Sequence, residues 1–266
     1  MTSRPGADAS AAPEPTSSLS ADYITADTLV ICLPFERSRF AEYDASGRAI
    51  GVDVEIGEEI AAQMGRRPEL VETLFDDLID EVEARRCDAT IGGQFITLSR
   101  LERIDMIPYR QGTPHVIVSD GNPLDIQELT DLCGRSFAVV GGTVYVDMVR
   151  GIGDFVGQGL DQRCIDSGAV AIDLHEFDSQ ADAEAALAGG VVDAYAGNDF
   201  VTIDQPDVFD RAVELPLVRN GIGHLLGAAT VDNDLRIALR ALIDDGRYLE
   251  ILNRYGVPDI ALTDRP

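Results

Sequence analysis

Apolar positions along the chain keep two rhythms, and each predicts a different element. The run "LVICL" (29–33) is short and continuous, which suits a buried strand. "DASGR" (44–48) is a turn composition. From Val52 to Met64 the apolar residues Val52, Ile56, Ile60 and Met64 recur every fourth position, one face of a helix, and Gly65 stops it. "PELVET" (68–73) predicts a strand. "DDLIDEVEAR" (76–85) predicts a helix that buries Leu78, Ile79 and Val82, and "DATIGG" (88–93) predicts the next strand. This βαβαβ order implies a mostly parallel sheet covered by helices.

After residue 114 the rhythm restarts. "HVIVS" (115–119) is a strand and "DIQELTDL" (125–132) a short helix. "SFAVVGGT" (136–143) is a strand that runs into a helix start, and "AIDLHEF" (171–177) is another strand. "SQADAEAALAGG" (179–190) is a helix capped by Ser179 and ended by glycine, followed by the strand "VDAYAG" (192–197). "IGHLLGAA" (222–229) is strand-like. Helices at 233–246 and 247–256 close the chain. Two α/β units result, with strands that end in small residues before helix starts. Ligands bind at that carboxyl edge in open parallel sheets.

Composition narrows the function. A net charge of −26 repels phosphates, which excludes nucleic acid as a partner. Every basic residue other than histidine is arginine, a bias that reflects genome composition or salt adaptation rather than mechanism. No apolar run reaches the length of a membrane span. Residues 1–28, rich in Ala, Ser, Thr and Pro, predict a disordered tether of the kind that precedes a membrane-anchored lipoprotein body. They contain no charged segment followed by an apolar one, so no signal segment stands in this sequence. The four cysteines form no CxxC or Cys/His cluster, so no zinc or other metal site is expected. Cys32, inside an apolar run, is a small buried hydrophobe. Cys133 and Cys164 flank a strand and a helix, where a disulfide is open to them in an oxidising compartment.

The stretch "ATIGGQFITLSRLERID" (89–105) carries the candidate chemistry. Thr97 is placed as a helix N-cap, which puts Arg100 in the first turn, where the helix dipole is already positive. A solvated arginine paired with Glu102 or Asp105 is one reading. Convergence of helix end and guanidinium on an anion is the other.

From about Leu29 to Gly256 the chain resembles the type II periplasmic solute-binding proteins of the polar amino-acid uptake class (bacterial extracellular solute-binding protein family 3). The resemblance runs through "SGRAIGVDVEIGEEIAAQMG", "FDDLIDEVEARRCDATIGG", "ITLSRLERIDM", "LCGRSFAVVGGT", "ALAGGVVDAYAGNDF" and "DDGRYLEILNRYG", in the family's order and near its spacing. It implies an α/β fold of two lobes, two mixed sheets flanked by helices and two crossover hinge strands. The lobes would be 29–112 plus 223–266 and 113–222. It implies Arg100 as the two-pronged anchor of a ligand carboxylate, a match of planar donors to carboxylate geometry. It places Gly142, Thr143 and Val144 at a turn facing the same group, and Gly93 and Phe75 at ligand contacts.

Departures from the family pattern shape the expected ligand. Asn198 stands where the family has an ammonium-binding aspartate, with Asp199 beside it. Either Asp199 turns inward, or the ligand's cation is absent, masked or quaternary. Pro34 and Arg37 replace an acidic residue and an aromatic wall, which leaves Phe35, Phe40 and Phe75 to supply that wall; Arg37 is either solvated or meets a ligand carboxylate. Phe95 replaces a hydroxyl residue and offers only its backbone N–H. His224 is either core packing or a ligand contact. The resemblance also implies a disulfide between Cys133 and Cys164. Cys32 and Cys87 are expected to stay unpaired, because adjacent parallel strands put their positions out of step. The implied function is the extracytoplasmic substrate-binding component of an ABC importer: a monomer without cofactor that closes on a small amino acid or amino-acid-like carboxylate and delivers it to a membrane permease. The alternatives are a sensory domain, or a dehydratase of the cyclohexadienyl type whose general acid would be Glu36, Glu42, Asp199 or His224.

Overall fold

The computed structural model describes residues 22–35, 39–112, 114–198, 200–215 and 219–263. The first part of the chain runs β1 (Thr28–Leu33), a small hairpin of β2 (Glu42–Tyr43) and β3 (Ala49–Ile50), α1 (Val52–Gln63) and β4 (Arg67–Glu72). A 3-10 turn (Phe75–Asp77) leads into α2 (Leu78–Glu83), β5 (Ala89–Thr90), α3 (Leu98–Leu101) and β6 (Ile104–Gln111). The second part holds β7 (Pro114–Ser119), β8 (Ser136–Val140), α4 (Val144–Arg150), α5 (Leu160–Asp166), β9 (Asp173–Phe177), α6 (Gln180–Ala188), β10 (Ala194–Asn198), α7 (Phe200–Asp204) and β11 (Phe209–Glu214). The chain then returns through β12 (Arg219–Leu225) to α8 (Ala229–Asp244) and α9 (Arg247–Arg254).

Two mixed five-stranded sheets result, ordered β4-β1-β5-β12-β6 and β11-β7-β10-β8-β9. The chain crosses between them twice, after β6 and before β12, and those two strands lie antiparallel side by side. The first core packs Leu29 and Ile31 of β1 against Ile56 and Ile60 of α1 and Leu235, Leu239 and Leu242 of α8. The predicted face of α1 is therefore the buried one. The second core joins Val116, Phe137 and Val139 to Val146, Val149 and Leu160. Burial of such apolar surface is the main favourable term in folding.

Most predicted elements appear, with three corrections. The helix expected at 125–132 is only a 3-10 turn over Leu129–Leu132. Asn122 and Asp125 sit at positive φ, and the Asn122 side chain bonds the backbone of Ile126, so local polar contacts displace the helix. The packed chain also begins before residue 29: Tyr23 is buried and donates to Asp234 (2.8 Å), while Arg66 stacks on its ring. Residues 1–21 of the expected tether lie outside the described residues.

The third correction concerns the cysteines. Cys133 and Cys164 are bonded, as the resemblance implied, but Cys32 and Cys87 are bonded too. The expectation of unpaired thiols treated both as strand residues out of step. Cys32 does face Thr90 in the ladder, but Cys87 precedes β5, in the turn that ends α2, with its Cα 5.8 Å from that of Cys32. With sequence separations of 31 and 55, chain entropy assigns the bonds about 4 kcal/mol each. Thiol titration of denatured, unreduced protein is expected to find none. Two reactive thiols would contradict the Cys32–Cys87 bond.

Candidate functional site

A cleft lies between the two sheets at the crossovers. Its first wall is built from Pro34 after β1, Asp53 of α1, Phe75, Gly92, Gly93 and Phe95 after β5, and Arg110 near the end of β6. Its second wall holds Val140, Thr143 and Tyr145 around the start of α4, Gln180 of α6, and Tyr195 to Asn198 of β10. The chamber continues outward past Phe40, Gln180 and Asn198 into a groove that contains Glu42, Glu184 and the Arg39–Asp204 ion pair.

The floor is a buried polar network. Between β6 and β12 the register slips: Pro108 faces Gly221 and Arg110 faces Asn220, so Tyr109 is an extra residue. Such a bulge re-aims side chains, and here Tyr109 and Arg110 meet instead of pointing to opposite faces. The Tyr109 hydroxyl donates to Asp53 Oδ1 (2.9 Å) and accepts from the Gly93 N–H (3.0 Å) and Arg110 Nε (3.0 Å). Arg110 Nη1 donates to Asn220 Oδ1 (2.8 Å), and the Asn220 amide donates to the Gly93 carbonyl. Arg110 Nε lies 3.4 Å from Asp53, and the guanidinium stacks on Phe40 at 4.1 Å. Burial pushes the Asp53 carboxyl above its ordinary range, against the pull of Arg110 and Tyr109. Gly93 is needed here: its φ is +72°, and a Cβ would stand 2.5 Å from Arg110 Nη2.

The predicted site residues divide. Phe75, Gly93, Phe95, Thr143 and Asn198 line the cleft. Val144 instead faces an apolar pocket of the second part, shared with Met148, Phe155 and Leu160. Thr97 caps α3 as expected, accepting from the Arg100 N–H (3.2 Å). Arg100 is not solvated, and it lies just behind the lining. Its Nη1 donates to the Phe95 carbonyl (2.8 Å) and its Nη2 to the Gly142 carbonyl (2.9 Å), and it stands 5.8 Å from the Phe75 ring. Burial pulls its pKa down to about 10, with Asp147 and Asp154 acting against that. It remains charged at neutral pH. Gly142, at φ +67°, lies against the first part of the chain; a Cβ there would collide with Asp76. Arg37 and Asp199, and with them Glu36, lie outside the described residues. His224 is fully buried away from the cleft and meets Asp232 (3.2 Å).

The rims of the cleft touch. Asp154 accepts from the backbone N–H groups of Leu98 (2.8 Å) and Ser99 (2.9 Å) at the start of α3. Arg39 bonds Asp204, and Phe40 meets Phe200 edge to face. Sequence reasoning missed Arg110, Asp53, Tyr109 and Asn220. The available signal was a cation at the end of an apolar run, "MIPYR", and an aspartate between Val52 and Val54.

The family model for bacterial extracellular solute-binding proteins, family 3, matches residues 30–258. The "Probable ABC transporter arginine-binding protein" of Chlamydia trachomatis is 26% identical over 220 residues, 80% of this chain and 78% of its own. Among solved structures, an ancestral arginine-binding protein bound to arginine superposes with a TM-score of 0.75 at 24% identity, covering 86% of this chain and 98% of that one. An ancestral amino acid-binding protein described as a precursor of cyclohexadienyl dehydratase gives 0.71 at 20% identity, covering 86% and 95%. These two structural likenesses speak for the fold.

The floor network predicts a stability effect. Asp53→Asn leaves a buried guanidinium without its counter-charge and should cost about 3 kcal/mol, read as a lower denaturant midpoint at unchanged slope. A midpoint equal to the parent's would mean that the pair contributes nothing.

Proposed function

The chain belongs to the bacterial extracellular solute-binding proteins of family 3, and from that premise we propose that it captures a small amino acid, or a carboxylate resembling one, in the cleft between its sheets. The observation that carries this reading is the cleft itself: polar and aromatic side chains from both sheets converge on one chamber at the two crossovers. The proposal extends to service outside the cytoplasm as the substrate-binding component of an ABC importer. Capture is by hinge closure about β6 and β12, and the lobes follow the expected boundaries. The contacts of Asp154 with α3, of Arg39 with Asp204 and of Arg100 with Gly142 are the kind of rim bonds that hold such a cleft shut.

Arg100 is proposed as the anchor of the ligand's carboxylate. It is a buried cation whose guanidinium is bonded, among the described residues, to neutral carbonyls. A carboxylate accepts a more strongly held, charge-assisted bond than a carbonyl does. Phe95, Thr143 and Phe75, which surround it, line the chamber into which that carboxylate would enter. Gly142 keeps its proposed place beside it, Arg37 and Asp199 stay proposed as ligand contacts, and Val144, which faces the apolar pocket, is no longer among them. The dehydratase reading has less support. Asp53 is the one carboxylate among the described lining residues, and it is already engaged by Tyr109 and Arg110 rather than poised as a general acid.

A thermal-shift screen of amino acids and related carboxylates tests the reading; a ligand at one hundred times its Kd should stabilise the protein by about 2.7 kcal/mol. Calorimetry with the ligand found should then show Arg100→Ala weakened about 30-fold or more, while Arg103→Ala, on an exposed ion pair with Glu83, binds like the parent. Equal affinities for both variants and the parent would remove Arg100 from the site.

A further inference from the structure

We infer that Arg110 sets which ligands the cleft accepts: it meets a carboxylate or carboxamide oxygen at the ligand's inner end and turns away a ligand whose inner end is a cation. The inference rests on the reading of the cleft as an amino-acid site and adds the chemistry of the second ligand end.

Arg110 is 2% exposed, yet it lines the chamber. Two of its nitrogens are engaged, Nε by Tyr109 and Nη1 by Asn220. Nη2, beside Gly93, has no acceptor among the described residues. No sealed side-chain polar atom lacks a partner among them, so this nitrogen faces the chamber rather than the protein interior. The stack on Phe40 and the bonds to Tyr109 and Asn220 fix its direction. A ligand oxygen arriving there meets a donor that is already oriented and desolvated.

The same arrangement disfavours a cation. Asp53, the only acidic side chain among the described lining residues, has its Oδ1 taken by Tyr109 and faces Arg110 Nε. The opposite wall offers Gln180 and Asn198, both neutral. An inward-pointing guanidinium or ammonium would therefore stand against Arg110 with no free carboxylate among the described lining residues to answer it, a like-charge contact in a water-poor site. Arg100, held by the Phe95 and Gly142 carbonyls, remains for the α-carboxylate. Two guanidiniums then address the two ends of one ligand. The competing arrangement points a ligand cation outward, toward Glu42 and Glu184 in the outer groove, and leaves its α-carboxylate to Arg110.

Titration calorimetry of the full chain with L-glutamate, L-glutamine and L-arginine separates these arrangements. Glutamate or glutamine is expected to bind at least about 100-fold tighter than arginine, and Arg110→Met is expected to lose most of that preference. Arginine binding as tightly as the other two would overturn the inference and leave the cleft reading intact. So would a neutral aliphatic amino acid that binds the parent but is lost in Arg110→Met, because Arg110 would then hold the α-carboxylate. Should Arg110→Met fail to fold, the ranking on the parent decides. If no amino acid of any class binds, the cleft reading fails and the inference fails with it.

Discussion

A guanidinium buried at the seam between two sheets constrains everything around it. Arg110 cannot reach bulk water, so its charge and donors must be met from within. One carboxylate, one phenol, one carboxamide and one aromatic face do so, drawn from α1, β6, β12 and the segment ahead of β2. Each sets a requirement of its own. Asp53 must sit in the first turn of a helix whose next turns bury Ile56 and Ile60. Tyr109 must occupy a bulge, and residue 93 must lack a Cβ. The network therefore ties both crossover strands to the first core at the place where the chain passes between the sheets.

Arg100 is a second buried guanidinium with the opposite situation. Its partners are neutral carbonyls, one from each side of the cleft, and its pKa is held down by burial. The difference gives the two arginines different proposed parts. Arg110 is charge-compensated and keeps one donor turned to the chamber. Arg100 has no carboxylate bonded to it among the described residues, and a ligand carboxylate would provide one. Around them the described walls are aromatic and neutral apart from Asp53, which is paired with Arg110, in a strongly acidic protein.

Local signals in the sequence were legible. The fourfold spacing in α1, the Thr97 and Ser179 caps and the glycine stops each depend on residues a few positions apart, and each appears as expected. Element β6 was not legible. "IDMIPYRQ" mixes Asp, Pro, Arg and Gln into an apolar run, and its strand character comes from β12, more than 100 residues later. The floor network was hidden for the same reason, since Asp53, Arg110 and Asn220 meet only after two chain crossings. The Cys32–Cys87 bond was missed because a turn residue was treated as a strand residue. Arg100 could be placed at a helix start from Thr97 alone, but no sequence pattern showed that carbonyls from both sides would hold it.

The central claim is that one ligand engages both walls of the cleft at once. Hydrogen–deuterium exchange with a ligand found by thermal shift, read on peptides covering Gly92–Phe95 and Ala194–Asn198, addresses it most directly. Saturating ligand is expected to slow exchange in both peptides together. Protection confined to one of them, or placed elsewhere in the chain, would contradict the account.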